Sequence, residues 1–284
     1  MRSKEKKYQR HAPIKPKPKS ISLPPAKTKK IAPAGPVRPL SEWMGEKNAA
    51  YYKSPTTSIE SDFSTYAQSP NGLLTTANAM AFHSFARAHP RQTYDILEAG
   101  VGAGMFALGF LQEIARQDEA HQTKILPRVR YTLADFSEPL LAAATQNIIQ
   151  ALPTAQVQAV RLDASKSNSI TAALGAFRYD VIRANELFDD LPAEAFCCVN
   201  EKIRAVHFDS KAQPQLISSE VSHLELWEEA LLRALPSGYF IPLNRQAVGA
   251  VLELAQHLRP TGWMDIFDYG FYFKGDFGLF SSIW

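Results

Sequence analysis

Hydrophobic and polar positions follow two alternating periods between residues 94 and 190. Apolar runs of five or six residues, typical of buried strands, alternate with segments whose apolar residues recur every three or four positions, as in helices. The runs predict strands at 94–99, 129–134, 157–162 and 179–183, and the segments between them predict helices at 104–117, 139–149 and 169–175. Strands that alternate with helices and are almost continuously apolar favour an α/β fold with a doubly wound, mostly parallel sheet.

The flanking segments extend this picture. The helical spacing over 71–89 predicts a helix that Pro90 ends, because the proline ring excludes the next backbone hydrogen bond. Later patterns predict a strand at 203–207, helices at 220–235 and 245–258, and a fifth strand at 263–267. We therefore divide the chain into an arm (1–39), a helical substrate-side segment (40–93), a ligand-binding core (94–190), a substrate-side insertion or lid (191–260), and a fifth strand with the C-terminal end (261–284).

Residues 1–39 differ from the rest in composition. They contain twelve Lys or Arg, one acid and eight prolines, which gives a formal charge of +11, whereas the remaining residues have 19 bases and 27 acids, a charge of −8. Such a segment cannot bury enough apolar surface to offset its ordering entropy, so we expect a disordered arm. It is either solvated without a specific partner or an electrostatic arm for nucleic acid, the ribosome or an acidic partner. The scarcity of aromatic residues favours the first interpretation.

Overall composition limits the class of protein. Of 284 residues, 45% are hydrophobic and 21% are charged, which is ordinary for a globular protein. The only cysteines, Cys197 and Cys198, are adjacent, so a disulfide framework is not expected and a reducing compartment is favoured. There is neither an apolar run of 18 residues nor the apolar core of a secretory signal. We expect a cytoplasmic protein without a membrane span, or a mitochondrial one if the source is eukaryotic.

Three glycines, Gly100, Gly102 and Gly104, stand between the first strand of the core and its helix. A strand, a tight turn and a helix N-terminus allow the backbone to approach a nucleotide-like ligand closely. A Cβ would clash with the ligand or be strained at positive φ. Glu98 lies on the strand just before the turn. Its negative charge would repel a dinucleotide pyrophosphate but attract an ammonium group, which favours S-adenosylmethionine over NAD or FAD.

Polar residues follow the other strands of the core. Asp135 follows the second strand and Asp163 the third. Since the carboxyl ends of parallel strands form the ligand crevice, we expect Asp135 to accept both hydroxyls of a ribose and Asp163 to accept from an adenine amino group. The alternative is a structural cap, because Ser137 and Asp163 precede helical segments and both residue types are preferred N-caps.

The segment 185–192 concentrates polar side chains after the fourth strand. Asn185, Glu186 and Asp189 would lie beside the reactive methyl group of a bound donor, and we predict them as catalytic residues. Methyl transfer depends mainly on alignment of the nucleophile. Paired carboxylates would bind a guanidinium acceptor in bidentate fashion. Alternatively, Asp189 or Asp190 caps the turn before the proline that ends the segment.

These segments together resemble class I S-adenosylmethionine-dependent methyltransferases, and more narrowly the MidA-like family, relatives of a mitochondrial methyltransferase that assists complex I assembly. The resemblance runs over 62–270, and its parts are Asp62-Phe63-x-Thr65, the glycine turn, the strand and acid at 131–140, the segment 184–192 and Asp268-Tyr269-Gly270. It implies a Rossmann-like fold, S-adenosylmethionine as cofactor and methylation of protein arginine.

Two departures from the family pattern stand out. Tyr66-Ala67-Gln68 replaces the Pro-Glu that the family usually has after its Asp-Phe-x-Thr. The family's sheet normally adds two strands after the fifth, and the 14 residues after Gly270 are too few for them. We therefore expect a divergent and shortened member, or an incomplete one, that apparently lacks the last strands.

Two other functions stay open: a non-catalytic assembly protein that retains the cofactor pocket, and an RNA methyltransferase that uses the basic arm. An NAD-dependent enzyme is disfavoured, because Glu98 and Asn185-Glu186 would have no role in it. No metal site is predicted, since the spacing of the candidate ligands matches no strong pattern. These candidates are His207, Asp209, His223 and Glu225.

Overall fold

A computed structural model describes residues 35–53, 72–221 and 223–268. The predictions for the rest of the arm, for Asp62-Phe63-x-Thr65 and for the chain after Asp268 lie outside the described residues. The elements, in chain order, are β1 (Arg38–Pro39), α1 (Leu40–Lys53), α2 (Leu73–Ala88), β2 (Tyr94–Ala99), α3 (Met105–His121), a 3₁₀ turn (Leu126–Arg128), β3 (Val129–Asp135), α4 (Glu138–Ala151), β4 (Gln156–Arg161), α5 (Ser169–Leu174), β5 (Tyr179–Asn185), β6 (Glu194–Val199), β7 (Lys202–Phe208), β8 (Pro214–Glu220), α6 (Leu226–Ala234), β9 (Phe240–Leu243), α7 (Arg245–Ala255) and β10 (Leu258–Phe267).

The core is a parallel sheet of five strands in the order β10-β5-β2-β3-β4. The predicted α/β class is therefore confirmed, and four of these strands lie within two residues of their predicted limits. The strand order reverses between β2 and β5, because β3 and β4 follow on one side of β2 and β5 lies on the other. A reversal of this kind opens a crevice at the carboxyl ends of the strands.

Helices cover both faces of the parallel sheet. One face packs against α2, α3 and α4 through a cluster that includes Ile96, Phe110 and Ile148. The other face packs against α5 and α7 and includes Leu97 and Leu254. Successive strand residues point to opposite faces, so a strand buried on both must be apolar nearly throughout. This is why β2 and β5, which are buried along their whole length, stand out in the sequence.

A second, antiparallel sheet occupies most of the predicted insertion. Its order is β1-β7-β6-β9, with β8 also paired to β7. The sequence predicts only β7 of these strands. β1 and β9 have two and four residues, and β8 is largely exposed, so these strands have no extended apolar run. The predicted helix at 220–235 is wrong in its first part: β8 ends at Glu220, and α6 begins at Leu226. A capping box between Glu225 and Glu228 sets this start.

Two further limits need correction at the end of the chain. The helix predicted to reach residue 258 ends at Ala255, and the fifth strand begins at Leu258 instead of residue 263. A register irregularity divides the strand between Leu258 and Trp263. Gly262 lies in this irregular stretch, where a Cβ would stand 2.8 Å from the carbonyl oxygen of Asp180. No helix in the described parts of the chain is long and apolar enough to cross a membrane.

Buried ion pairs hold the amino ends of the central strands together. The carboxylates of Asp95 on β2 and Asp180 on β5 are almost completely buried. The guanidinium of Arg259 bridges them at 2.7 and 2.6 Å. Arg130 adds a bidentate pair with Asp95 at 2.6 and 2.8 Å, and Arg91 pairs with Asp180. This network lies at the end of the sheet opposite the crevice, so its role is structural.

We expect Arg259→Met to lower the free energy of unfolding by about 2–4 kcal/mol, because the buried carboxylates of Asp95 and Asp180 lose the positively charged guanidinium that bridges them. The control is Arg161→Met, which removes the exposed pair between Arg161 and Glu138 and should cost less than about 1 kcal/mol. Urea unfolding of the three proteins measures both values. Equal losses for the two variants would contradict a structural role for this network.

Candidate functional site

A pocket of about 490 Å³ opens at the carboxyl ends of β2, β3 and β5. Helix α1 forms its opposite wall through Gly45, Asn48, Ala49 and Tyr52. Eight of the nine residues predicted for the site line this pocket, and they come from four separate parts of the chain: Glu98, Gly100, Gly102, Asp135, Asp163, Asn185, Glu186 and Asp189.

The glycine turn forms the floor of the pocket. Gly100 has φ +72°, and a Cβ there would lie 2.9 Å from a methyl carbon of Leu187. Gly102 has φ +52°, and its N–H donates to Oδ2 of Asp135 at 3.0 Å. The close neighbour excludes a Cβ at Gly100, and the left-handed backbone favours glycine at both positions. The turn therefore presents bare backbone to the pocket.

Gly104, the ninth predicted residue, lies outside the pocket lining. It occupies the N-cap position of α3 with φ +79°, and a Cβ there would lie 2.7 Å from Cβ and 3.0 Å from Cα of Ala144 on α4. This glycine lets α3 and α4 approach each other closely. Its place in the glycine pattern is accounted for by helix packing.

Asp135 links the end of β3 to the glycine turn. Its Oδ2 accepts from Gly102 N–H, and its Oδ1 accepts from Ser137 N–H at 2.9 Å. Burial raises the pKa of this carboxyl, although these backbone donors act in the opposite direction. A carboxylate has about four lone-pair sites, so capacity remains for a ligand in the pocket. Ser137 stands at the N-cap of α4 but makes no side-chain capping bond.

Asp163 forms a local turn after β4. Its Oδ1 accepts from the hydroxyl and the N–H of Ser165, and its Oδ2 pairs with Lys166 at 2.9 Å. Burial acts to raise the pKa of Asp163, but the hydrogen bonds from Lys166 and Ser165 outweigh it and lower the pKa. The N-cap of α5 is Asn168. Asp163 therefore caps the turn at 163–166 and is not the N-cap of α5.

Glu98 is buried beneath the glycine turn. Its carboxylate accepts from the hydroxyl of Tyr131, and burial raises its pKa to about 7 despite that bond and the nearby charge of Arg183. Arg183 is fully buried, and its guanidinium carbon lies 4.2 Å from the ring centre of Phe110. No sequence pattern singled out Tyr131 or Arg183 as partners of Glu98. The only available indication was a charged residue inside an apolar strand run.

Asn185 ends β5 with an amide that has no partner. The residue is 8% exposed, and neither Oδ1 nor Nδ2 makes a hydrogen bond to any described residue. Leaving a buried amide without a hydrogen bond costs about 1–3 kcal/mol. Since Asn185 belongs to the pocket lining, this arrangement is typical of a side chain that hydrogen-bonds to a bound ligand.

The segment after Asn185 is fixed by two side chains from elsewhere in the chain. Asp268, at the end of β10, accepts from the N–H groups of Phe188 and Asp189 at 2.8 and 3.2 Å. Asn244 caps α7 and donates to the carbonyl oxygens of Phe188 and Leu191 at 2.7 and 2.9 Å. The segment therefore has a defined course although it contains no regular structure.

Negative charge accumulates along this rim of the pocket. Partial burial of the Asp189 carboxyl, together with the adjacent Asp268 and Asp190, raises its pKa to about 7. Glu186 adopts φ +49°, and its N–H donates to the carbonyl of Phe267 at 2.7 Å. Such a rim attracts a cationic group and repels an anionic one.

Helix α1 closes over this rim. The hydroxyl of Tyr52 donates to the carboxylate of Asp190, and Nδ2 of Asn48 donates to the backbone oxygen of Asp190 at 2.6 Å. The ring of Tyr52 meets Phe136 edge to face at 5.7 Å. The sequence analysis assigned this segment to the substrate side but singled out neither Tyr52 nor Asn48, since their partner lies about 140 residues away.

The side chains considered as metal ligands in the sequence lie outside the pocket lining. No group of three or more metal-binding side chains occurs in the described parts of the chain. Asp209 accepts from the N–H groups of Lys211 and Gln213 and so shapes the turn between β7 and β8. His207 and His223 are not among the residues that line the pocket.

A parallel sheet with its pocket at the switch point, a glycine turn and acids at the strand ends defines a nucleotide-type binding fold of the Rossmann-like class. A family model described as "Putative S-adenosyl-L-methionine-dependent methyltransferase" matches residues 77–277. The chain belongs to this family of S-adenosyl-L-methionine-dependent methyltransferases. No curated protein matches it.

Two crystal structures of COG1565 superfamily proteins from Burkholderia thailandensis are similar to the chain. One, a native structure, is 23% identical with a TM-score of 0.56. The other, bound to S-adenosyl-homocysteine, is 22% identical with a TM-score of 0.58. Each match covers 83% of this chain, which spans 57% and 59% of those proteins, respectively. At these identities the likeness establishes the fold.

We expect Gly104→Ala to be more destabilising than Gly238→Ala. Both glycines have positive φ, +79° and +87°, but a Cβ at Gly238 meets no atom within 4 Å. The strain of the left-handed backbone, about 1–2 kcal/mol, is common to both, whereas the contact with Ala144 adds about 1–3 kcal/mol to the first. Urea unfolding measures the difference. If the two variants are equally stable, Gly104 is not needed for the approach of α3 and α4.

Proposed function

We propose that this chain binds S-adenosylmethionine in the pocket and transfers its methyl group to an acceptor held at the acidic rim. The observation that supports this most is the buried amide of Asn185, which has no hydrogen-bond partner among the described residues and lines a pocket at the switch point of the sheet. Family membership supplies the class of cofactor. When bound, the cofactor supplies an electrophilic methyl group on a sulfonium.

The pocket offers complementary groups for each part of this cofactor. The backbone of Gly100 and Gly102 allows close approach, Asp135 has lone pairs left for the ribose hydroxyls, and Glu98 supplies a negative charge for the ammonium. Asp163 stays the proposed contact for the adenine amino group. A near neighbour in structure is bound to S-adenosyl-homocysteine, the product that methyl transfer leaves.

The acceptor is proposed to be an arginine side chain of a protein, as the MidA-like resemblance implies. In this transfer a nitrogen–carbon bond forms, the carbon–sulfonium bond breaks, and the nitrogen loses a proton. Asn185 and Glu186 would align the acceptor nitrogen. Asp189, whose pKa is about 7, can take the proton at neutral pH, since a general base works best with a pKa near the working pH.

The acidic rim separates this proposal from the RNA alternative. Asp189 and Asp190 line the pocket, and Asp268 lies beside Asp189. Carboxylates at this rim would repel a phosphate backbone and attract a guanidinium. The same segment also favours catalysis over a purely structural role, because the Asn185 amide has no hydrogen-bond partner among the described residues, which costs stability.

Calorimetric titration with S-adenosylmethionine tests the cofactor half of the proposal. We expect binding that Asp135→Asn weakens about 10-fold or more, because a charge-assisted hydrogen bond to ribose is lost. The Asn variant keeps one acceptor for the N–H of Gly102 but loses the acceptor for the N–H of Ser137, so urea unfolding must show that it is folded before its binding is compared. The control, Glu119→Ala, removes an exposed acid of α3 and should bind like the parent protein. If the folded protein produces no heat of binding with S-adenosylmethionine, the proposed cofactor binding is refuted.

Transfer of a labelled methyl group to a cell extract of the source organism tests the acceptor half. We expect label in protein, recovered after hydrolysis as methylarginine, with a rate at least about 10-fold lower for Asn185→Ala because the acceptor is less well aligned. Asn147→Ala, at an exposed position of α4, should be unaffected. Label in RNA would instead support the RNA alternative, and cofactor binding without any transfer would support the non-catalytic one.

A further inference from the structure

Three charged side chains stand side by side inside the parallel sheet. Glu98 on β2 is in register with Arg183 on β5, and Arg183 is in register with Asp265 on β10. Arg183 is fully buried, and Glu98 is 2% exposed. Arginine is almost never completely buried unless it is paired, and removing such a charge from water is costly. The row therefore calls for a reason beyond packing.

Arg183 is held mainly by aromatic rings. Its guanidinium carbon lies 4.2 Å from the ring centre of Phe110 and 4.9 Å from that of Phe106. Its hydrogen bonds are long: 3.4 Å to the Tyr131 hydroxyl, 3.4 Å to Asp265 and 3.5 Å to Asn78. Its Nε has no partner among the described residues. The positive charge of Arg183 is thus not neutralised by a single close ion pair.

The direction of the hydrogen bonds follows from the donors present. A guanidinium can only donate, so the Tyr131 oxygen accepts from Arg183 and the Tyr131 proton points to Glu98. The Tyr131 hydrogen bond and the positive charge of Arg183 both stabilise the ionised form of Glu98. The charged or titratable groups that face Glu98 are Tyr131 from β3 and Arg183 from β5. Helix α3 faces this row with the apolar Phe106 and Phe110, and α2 contributes the uncharged Asn78.

We propose that Tyr131 and Arg183 are positioning residues that keep Glu98 ionised and aimed at the ammonium group of the bound cofactor. This inference rests on the proposed function. Neither residue lines the pocket, so both act through Glu98.

The pH dependence of binding follows from this arrangement. Burial raises the pKa of Glu98 to about 7, and the Tyr131 hydrogen bond and the Arg183 charge keep it from rising further. Below this pH the carboxyl is protonated and loses its attraction for a cation, so affinity for a ligand with an ammonium group falls as the pH falls. Removing the Tyr131 hydroxyl raises the pKa of Glu98 and moves the midpoint of this loss to higher pH.

Two ligands and matched variants test the inference. S-adenosyl-homocysteine bears the ammonium group, and 5′-methylthioadenosine lacks the whole amino-acid part. Calorimetric titrations from pH 6 to 8.5 compare the parent protein with Tyr131→Phe, Glu98→Gln and the control Tyr94→Phe. The control removes another buried hydroxyl of the same sheet, one that donates to backbone carbonyls away from the pocket.

We expect Tyr131→Phe to weaken the binding of S-adenosyl-homocysteine about 10-fold at pH 7 and to move the midpoint of its pH dependence to higher pH. The affinity for methylthioadenosine should change by less than about 2-fold. Tyr94→Phe should leave the affinity for both ligands within the same limit. Glu98→Gln should abolish the pH dependence, and adding Tyr131→Phe to it should have little further effect, because the coupled pair is already broken.

Equal weakening of both ligands at every pH would show a merely structural role for Tyr131 and overturn the inference. Unchanged affinity and midpoint in Tyr131→Phe would also overturn it, while the proposed function would stand. If the parent protein binds neither ligand, the proposed function fails, and this inference fails with it.

Discussion

The complete burial of β2 between β3 and β5 is the constraint on which the rest of the structure depends. Both faces of this strand are covered by helices, and both edges are paired, so its backbone has no freedom to shift. The strand order reverses beside it, and the chain leaves it through glycines in left-handed conformations. The groups that follow β2, β3, β4 and β5 are consequently brought to one pocket.

The two ends of the sheet use buried charge differently. At the amino ends, Asp95 and Asp180 are closely paired with arginines at 2.6–2.8 Å, which satisfies every charge and fixes the strands. At the carboxyl ends, Glu98, Asn185 and Arg183 are only partly satisfied. Incomplete satisfaction lowers stability but leaves polar groups available to a ligand. We infer that the first network serves the fold and the second serves binding.

The sequence predicted the parallel strands well and the antiparallel ones poorly. Residues 94–99 and 179–183 carry apolar side chains on both faces, interrupted by two charged residues in each, and this pattern is recognisable without knowledge of the fold. β9 has only four residues and pairs with the distant β6, and β8 is largely exposed, so neither has an extended apolar run. The start of α6 was misplaced for a related reason, since the strand before it is defined by its partner β7.

The sequence by itself determined the class of fold, because strand burial is a local property, and its resemblance gave the broad family of S-adenosyl-L-methionine-dependent methyltransferases. It could not assign Gly104 to the contact between α3 and α4, nor join Tyr52 to Asp190 or Tyr131 to Glu98. Those contacts link positions about 33 to 140 residues apart. Only tertiary packing decides such distances, and with them which polar groups are paired and which stay open to a ligand.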